Sequence, residues 1–137
     1  MDRRDFVLTC SAACLPMLGA CAHLNYVNAT SIGGRLAIAK TELSTAPFAL
    51  VTTETLDFPI YVHRDPDGSY TAVLTRCMHR GCQVEPTDGH LVCPCHGSEY
   101  TNAGAVLKGP TRLPLVPFRV ETDAEHIYIL TAGVTIP

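Results

Sequence analysis

Two short loops near the middle of the chain set the strongest limit on what it can fold into. They read Cys77-Met78-His79-Arg80-Gly81-Cys82 and Cys93-Pro94-Cys95-His96-Gly97-Ser98. Each offers a Cys and a His two or three residues apart, plus one further Cys. Ligands this close along the chain reach one metal without straining the backbone, and Gly81 and Gly97 permit tight turns and close approach of backbone amides. A scaffold must hold both loops at one place. With 137 residues the chain supplies one domain, large enough for a real core and too small for two.

That scaffold reads as all-β. Short β-rich runs occur at 36–39, 48–52, 60–63, 70–74, 91–93, 118–121 and 127–130, punctuated by turn residues. Asp65-Pro66-Asp67-Gly68 predicts a hairpin, with Pro presetting φ and Gly accepting φ > 0. Thr122-Asp123-Ala124-Glu125 predicts a second. No convincing helix of ten residues follows residue 25. Ten prolines and ten glycines suit a small antiparallel barrel or sandwich with functional loops. A chain that is 47% hydrophobic and 17% charged is expected to pack as a globule. The net charge of −3, without a basic stripe, argues against nucleic acid as a partner.

Residues 1–22 are expected to be a targeting segment, 23–35 a linker, and 36–137 the folded domain. Asp2-Arg3-Arg4-Asp5-Phe6-Val7-Leu8 resembles a twin-arginine export signal, and an apolar stretch runs on to Ala22. That stretch is interrupted by Pro16 and falls short of the roughly 20 residues that span a bilayer. Leu18-Gly19-Ala20-Cys21 resembles a lipobox, with Cys21 the lipidated residue. Cleavage after a small-x-small pattern and retention as a short anchor remain open. Cys10 and Cys14 read as small apolar fillers.

The donor set of the two loops has few uses. Two thiolates and two imidazoles suit a mixed-ligand [2Fe–2S] centre, in which one iron keeps two Cys and the other takes two His. They also suit tetrahedral zinc, which would leave the additional cysteines without a purpose. Cys93-Pro94-Cys95 is one residue short of a redox Cys-x-x-Cys. His23, His63, His90 and His126 read as polar surface residues, with His90 near enough to the loops to neighbour the site. Glu85, Asp88 and Glu99 flank the loops without forming an acid–base dyad, and no catalytic nucleophile is evident.

Cys-x-His-x-Gly-Cys paired with Cys-Pro-Cys-His-Gly-Ser resembles the Rieske iron–sulfur family, of the cytochrome bc type. The resemblance covers about 36–130 and is strongest over 77–110. It implies a Rieske fold with a cluster-binding subdomain of two metal loops, and an electron carrier of the kind that serves as a subunit of a quinol–cytochrome c reductase-like oxidoreductase. Carried over residue by residue, Cys77 and Cys93 bind one iron, and His79 and His96 the other. Cys82 and Cys95 take the family's disulfide positions, which implies an oxidising compartment. Ser98 and Tyr100 take positions whose hydroxyls hydrogen-bond to a bridging sulfide and to a ligand cysteine sulfur. Gly109-Pro110 is expected to open a third, shielding loop.

The resemblance further implies a potential in the upper part of the family's range of about −150 to +300 mV, falling as pH rises. The donor it implies is quinol or a membrane quinol-oxidising subunit. The acceptor would be a cytochrome c or a copper protein. The location would be the periplasmic face of an inner membrane, by lipid or signal anchor, or the soluble periplasm. A free-standing carrier or the small subunit of a molybdenum oxidase of the arsenite oxidase kind would share these features. One departure is Arg80, where the family carries an apolar Leu. A cation there would steer an acidic partner.

Overall fold

The computed structural model describes residues 24–137, so the targeting segment with Cys10, Cys14 and Cys21 lies outside the described residues. Among those residues no helix is long and apolar enough to cross a membrane. The fold is almost entirely β. Its strands are β1 (Tyr26–Asn28), β2 (Thr30–Ile32), β3 (Arg35–Ala39), β4 (Phe48–Thr52), β5 (Ile60–Arg64), β6 (Tyr70–Leu74), β7 (Glu85–Pro86), β8 (Leu91–Val92), β9 (Glu99–Tyr100), β10 (Val106–Lys108), β11 (Pro117–Thr122) and β12 (His126–Leu130). A single 3₁₀ turn, Lys40–Leu43, drops Leu43 into the core.

Eight strands form the larger sheet in the order β1-β4-β5-β6-β11-β12-β3-β2. Its two edge strands, β1 and β2, are separated in the chain only by Ala29. The sheet therefore nearly closes on itself, and closure removes the exposed edges that invite aggregation. β1 pairs in parallel with β4, Val27 opposite Val51, while β2 pairs antiparallel with β3. The stretch expected as linker thus carries two short strands. Their sequences, Tyr-Val-Asn and Thr-Ser-Ile, are too short to show a period, and only pairing reveals them, β1 with distant β4 and β2 with adjacent β3.

Residues 75–116, between β6 and β11, hold the second sheet, ordered β10-β9-β8-β7. It sits against the outer face of β4, β5 and β6. On these strands Ala49, Val51, Ile60, Val62, Ala72 and Leu74 point into the barrel core. Leu50, Tyr61 and Val73, on the alternate positions, join Cys77, Cys93, Leu91, Val84, Tyr100 and Leu115 in a second core. Both faces of the three strands are buried. Their sequences accordingly read as nearly continuous apolar runs rather than an alternation. A polar tie reinforces the join: the buried Tyr61 hydroxyl donates to Asn102 Oδ1 (2.9 Å), and Asn102 Nδ2 donates to the Gly89 carbonyl (3.3 Å).

The two expected hairpins are present, β5–β6 across Asp65–Ser69 and β11–β12 across Asp123–Glu125. In the second, Asp123 accepts from the Tyr128 hydroxyl (2.6 Å) and from the amides of Glu125 (2.9 Å) and His126 (2.7 Å). The phenol bond, then the amides, hold its carboxyl well below the usual carboxylate range. A carboxyl harder to protonate folded than unfolded adds stability above its unfolded pKa of about 3.9 and loses it as pH falls through the folded value. Asp123→Asn is therefore expected to lower the midpoint of thermal unfolding at pH 7, with the deficit shrinking as the medium is acidified below about pH 4. Equal deficits at both pH values would count against this origin.

Candidate metal centre

Two six-residue loops with the same backbone wiring build the site. In the first, Cys77 N–H donates to the Cys82 carbonyl (2.8 Å), and Gly81 N–H donates to the Cys77 carbonyl (2.9 Å). In the second, Cys93 N–H donates to the Ser98 carbonyl (2.8 Å), and Gly97 N–H donates to the Cys93 carbonyl (2.9 Å). Gly81 and Gly97 take φ of 77° and 79°, a turn that L side chains rarely adopt. Position by position, Cys77 matches Cys93, His79 matches Cys95, Arg80 matches His96, and Cys82 matches Ser98. The ligand-bearing His therefore stands one residue later in the second loop, a difference the matched hydrogen bonds make visible.

Cys82 and Cys95, at a sequence separation of 13, are joined in a disulfide that links the loops. The Sγ atoms of Cys82, Cys93 and Cys95 lie within 4.8 Å of one another, but the disulfide leaves only Cys93 of these three as a thiol. Among the described residues the free cysteines are Cys77 and Cys93, 2% and 1% exposed. Burial disfavours both thiolates. At Cys77 this is outweighed by the Tyr100 hydroxyl, the amides of His79 and Arg80, and the Cys93 thiol, so its pKa falls below the ordinary value. At Cys93 the amides of Cys95 and His96 oppose burial less successfully, and neighbouring Cys77 adds to it, so its pKa rises. In each loop the amides two and three residues after the Cys are aimed at its sulfur.

The imidazoles of His79 and His96 meet edge to face, ring centroids 4.9 Å apart. Nδ1 of His79 is buried and has no hydrogen-bond partner, whereas the His96 side is exposed. An orphaned buried imidazole nitrogen costs free energy unless something binds it. Two buried thiols and an unpartnered buried imidazole nitrogen in adjoining loops are groups that a metal centre with sulfur and nitrogen ligands would satisfy. The donor set fits a [2Fe–2S] cluster with two Cys and two His.

Around these groups lie the two expected hydroxyls. Tyr100, fully buried on β9, places its hydroxyl 3.3 Å from Cys77 Sγ. Burial first, then Cys77, push the phenol up to about 12, so at neutral pH it carries a proton to donate to sulfur. Ser98 is fully buried, and its Oγ accepts from the Thr111 amide at 3.1 Å. That contact leaves the Ser98 hydroxyl proton free to point elsewhere.

Thr111, 4% exposed, is the functional neighbour that sequence reasoning missed. Its only sequence signal is its place after Gly109-Pro110, which marked the third loop but not which amide reaches Ser98. His90 bonds through Nδ1 to Thr87 Oγ1 (3.1 Å), with Nε2 3.9 Å from Glu99 Oε2. His63 and His126 pair locally with Asp65 (3.1 Å) and Asp123 (3.6 Å), away from the loops.

Comparison with known proteins agrees with this arrangement. A family model described as Rieske [2Fe-2S] domain matches residues 35–119. The cytochrome b6-f complex iron-sulfur subunit of Chlorobaculum tepidum is 39% identical over 67 residues, covering 47% of this chain and 37% of the relative. The cytochrome b6-f complex iron-sulfur subunit 2 of Trichormus variabilis is 34% identical over 83 residues, covering 58% and 47%. The chain thus spans less than half the length of these curated relatives. The crystal structure of the plasma membrane Rieske protein PetC3 from Synechocystis PCC 6803 superposes with a TM-score of 0.59 at 31% identity, covering 66% of this chain and 93% of that one.

Proposed function

This chain belongs to the Rieske [2Fe–2S] domain family, and from that premise we propose that it is a high-potential electron carrier drawing electrons from quinol. It is a Rieske electron-transfer protein homologous to cytochrome b6-f Rieske subunits, and its domain binds a [2Fe–2S] cluster. Cys77 and Cys93 hold one iron, and His79 and His96 the other. The assembly around it is a cytochrome bc-like complex, and the electron passes on to a periplasmic cytochrome. The observation that carries the reading is the pairing of two buried thiols with a buried, unpartnered His79 nitrogen across disulfide-linked loops.

When bound, the cluster supplies one-electron redox chemistry. The chain's own residues set how readily an electron is held. Neutral imidazoles replace two thiolates, so the site carries less negative charge. The Tyr100 phenol, the Ser98 hydroxyl and the amides at His79, Arg80, Cys95 and His96 are donors poised against sulfur. Donors of this kind favour the reduced, more negative state and raise the potential. The exposed face of His96 offers a ring nitrogen to a quinol hydroxyl, which would let one proton leave with one electron. The Cys82–Cys95 disulfide supports placement in an oxidising, exported compartment.

An EPR-monitored redox titration of the purified protein at several pH values tests this. A Rieske-type signal with a potential above zero that falls as pH rises is expected. A potential near the lower end of the family's range would remove quinol as donor. Tyr100→Phe is expected to keep the signal and lower the potential by some tens of millivolts, the equivalent of about 1 kcal/mol for one hydrogen bond. An unchanged potential would remove the phenol from the argument.

A further inference from the structure

We infer that the end of the molecule around His96 is a docking face for a one-electron acceptor whose own surface is acidic. The inference rests on the proposed electron-transfer role and adds the chemical class of the partner. Its first support is the matched wiring of the two loops. Arg80 holds in the first loop the position that His96 holds in the second, and both side chains are exposed. The cation thus holds in its loop the place that the exposed imidazole holds in the other.

The third loop brings two more cations. It is fastened to the second loop by the Thr111 amide on Ser98 and by β10 pairing with β9, Lys108 opposite Glu99. Lys108 and Arg112 are exposed on it. Among the described residues, neither they nor Arg80 make an ion pair within 4 Å; the pairs formed involve Arg35, His63, His90 and His126. Segments 77–82, 93–98 and 107–114 contain three cations and no carboxylate. The nearby acids are Asp57, which lines the same cleft as Arg80, half-buried Glu99, opposite Lys108, and exposed Glu85 and Asp88 on β7 and the turn after it.

In a chain of net charge −3 these three segments are thus net cationic, and the rest of the molecule is correspondingly more acidic. Among the cations stand Leu107 and Leu113, 57% and 56% exposed, the two most exposed large apolar side chains of the described residues. Apolar groups that desolvate on contact, rimmed by unpaired charge that steers approach, are the parts of a transient charge-matched interface. In the transfer this protein loses one electron and the acceptor's haem iron or copper gains one. No atoms are exchanged.

The net charge and the local charge predict opposite salt effects, which makes the test decisive. Stopped-flow oxidation of the reduced, cluster-loaded protein is followed with an acidic blue copper protein and, separately, a basic cytochrome c as probes. If the cationic end governs docking, the rate with the acidic acceptor falls about tenfold as ionic strength rises from about 10 mM to about 150 mM. The double variant Lys108→Gln, Arg112→Gln, which leaves both cluster loops unaltered, loses most of that dependence while its EPR signal stays as in the parent. With the basic acceptor the rate of the parent does not fall with salt.

A rate with the acidic acceptor that is flat or rises with salt would overturn the inference, because the net negative charge would then govern. Salt-sensitive retention on phosphatidylglycerol vesicles without a salt-sensitive rate would overturn it in favour of a lipid surface. Absence of a Rieske signal in the parent would instead remove the underlying electron-transfer reading.

Discussion

Replacing His79 or His96 with Ser is expected to abolish the Rieske EPR signal outright, with the barrel still folded. The barrel core, built on Val51, Ile60, Val62, Leu74, Ile127 and Ile129, does not involve either imidazole. The loops stay linked by Cys82–Cys95 and stay shaped by their own backbone hydrogen bonds. What is lost is one of the two imidazole donors. His79 Nδ1 is buried without a partner, and a Ser hydroxyl is too short to take over its position. His90→Ala is the matching control: its ring is satisfied by Thr87 and faces Glu99, so the signal should survive. Iron analysis and EPR on the purified variants check both. An unchanged spectrum in His79→Ser or His96→Ser would refute the ligand assignment.

Removing the disulfide is expected to be the most damaging change to stability. Closing a loop over a separation of 13 residues removes about 3 kcal/mol of unfolded-state entropy in the chain-closure estimate. The double substitution Cys82→Ala, Cys95→Ala is the informative one. A single substitution would leave a thiol within 4.8 Å of Cys93 and invite a non-native pairing. Denaturant unfolding of the double variant should show a loss of about that size, together with faster loss of bound iron as the two loops separate. An unfolding free energy and an iron content equal to those of the parent would show that backbone wiring and the third loop suffice to hold the loops together.

Much of the molecule was legible in advance because its signals are local. The Asp65-Pro66-Asp67-Gly68 turn and the Asp123 turn determine their own hairpins, and 48–52 and 70–74 coincide with β4 and β6. The Cys and His spacing brought the site residues forward without any structure. The short strands escaped notice. β1, β2, β7, β9 and β10 are two or three residues long, too short to show a period, and β1 exists only because distant β4 supplies its hydrogen bonds.

The expected donors also differ in how their roles could be read. Tyr100 sits on β9 with its hydroxyl 3.3 Å from Cys77, across a separation of 23 residues, so its register after His96 pointed to it. Thr111 gave no such sign, because its contribution is a backbone amide, which every residue but proline possesses. The Arg80–His96 correspondence was hidden for a related reason. The loops look offset when aligned by their His residues and match only when aligned by their hydrogen bonds.

By itself, then, the sequence determined the chemistry: which thiols and imidazoles exist, their spacing within each loop, and the all-β scaffold written in turn residues and apolar runs. Tertiary structure alone decided that His79 Nδ1 is buried and His96 exposed, that the Thr111 amide reaches Ser98, and that the third loop is fastened to the second. The physical reason is range. Turn preference and ligand spacing act over a few residues and are stored in the chain. Burial, register and the gathering of charge arise only when segments far apart are brought into contact by closure of the barrel and the docking of the smaller sheet upon it.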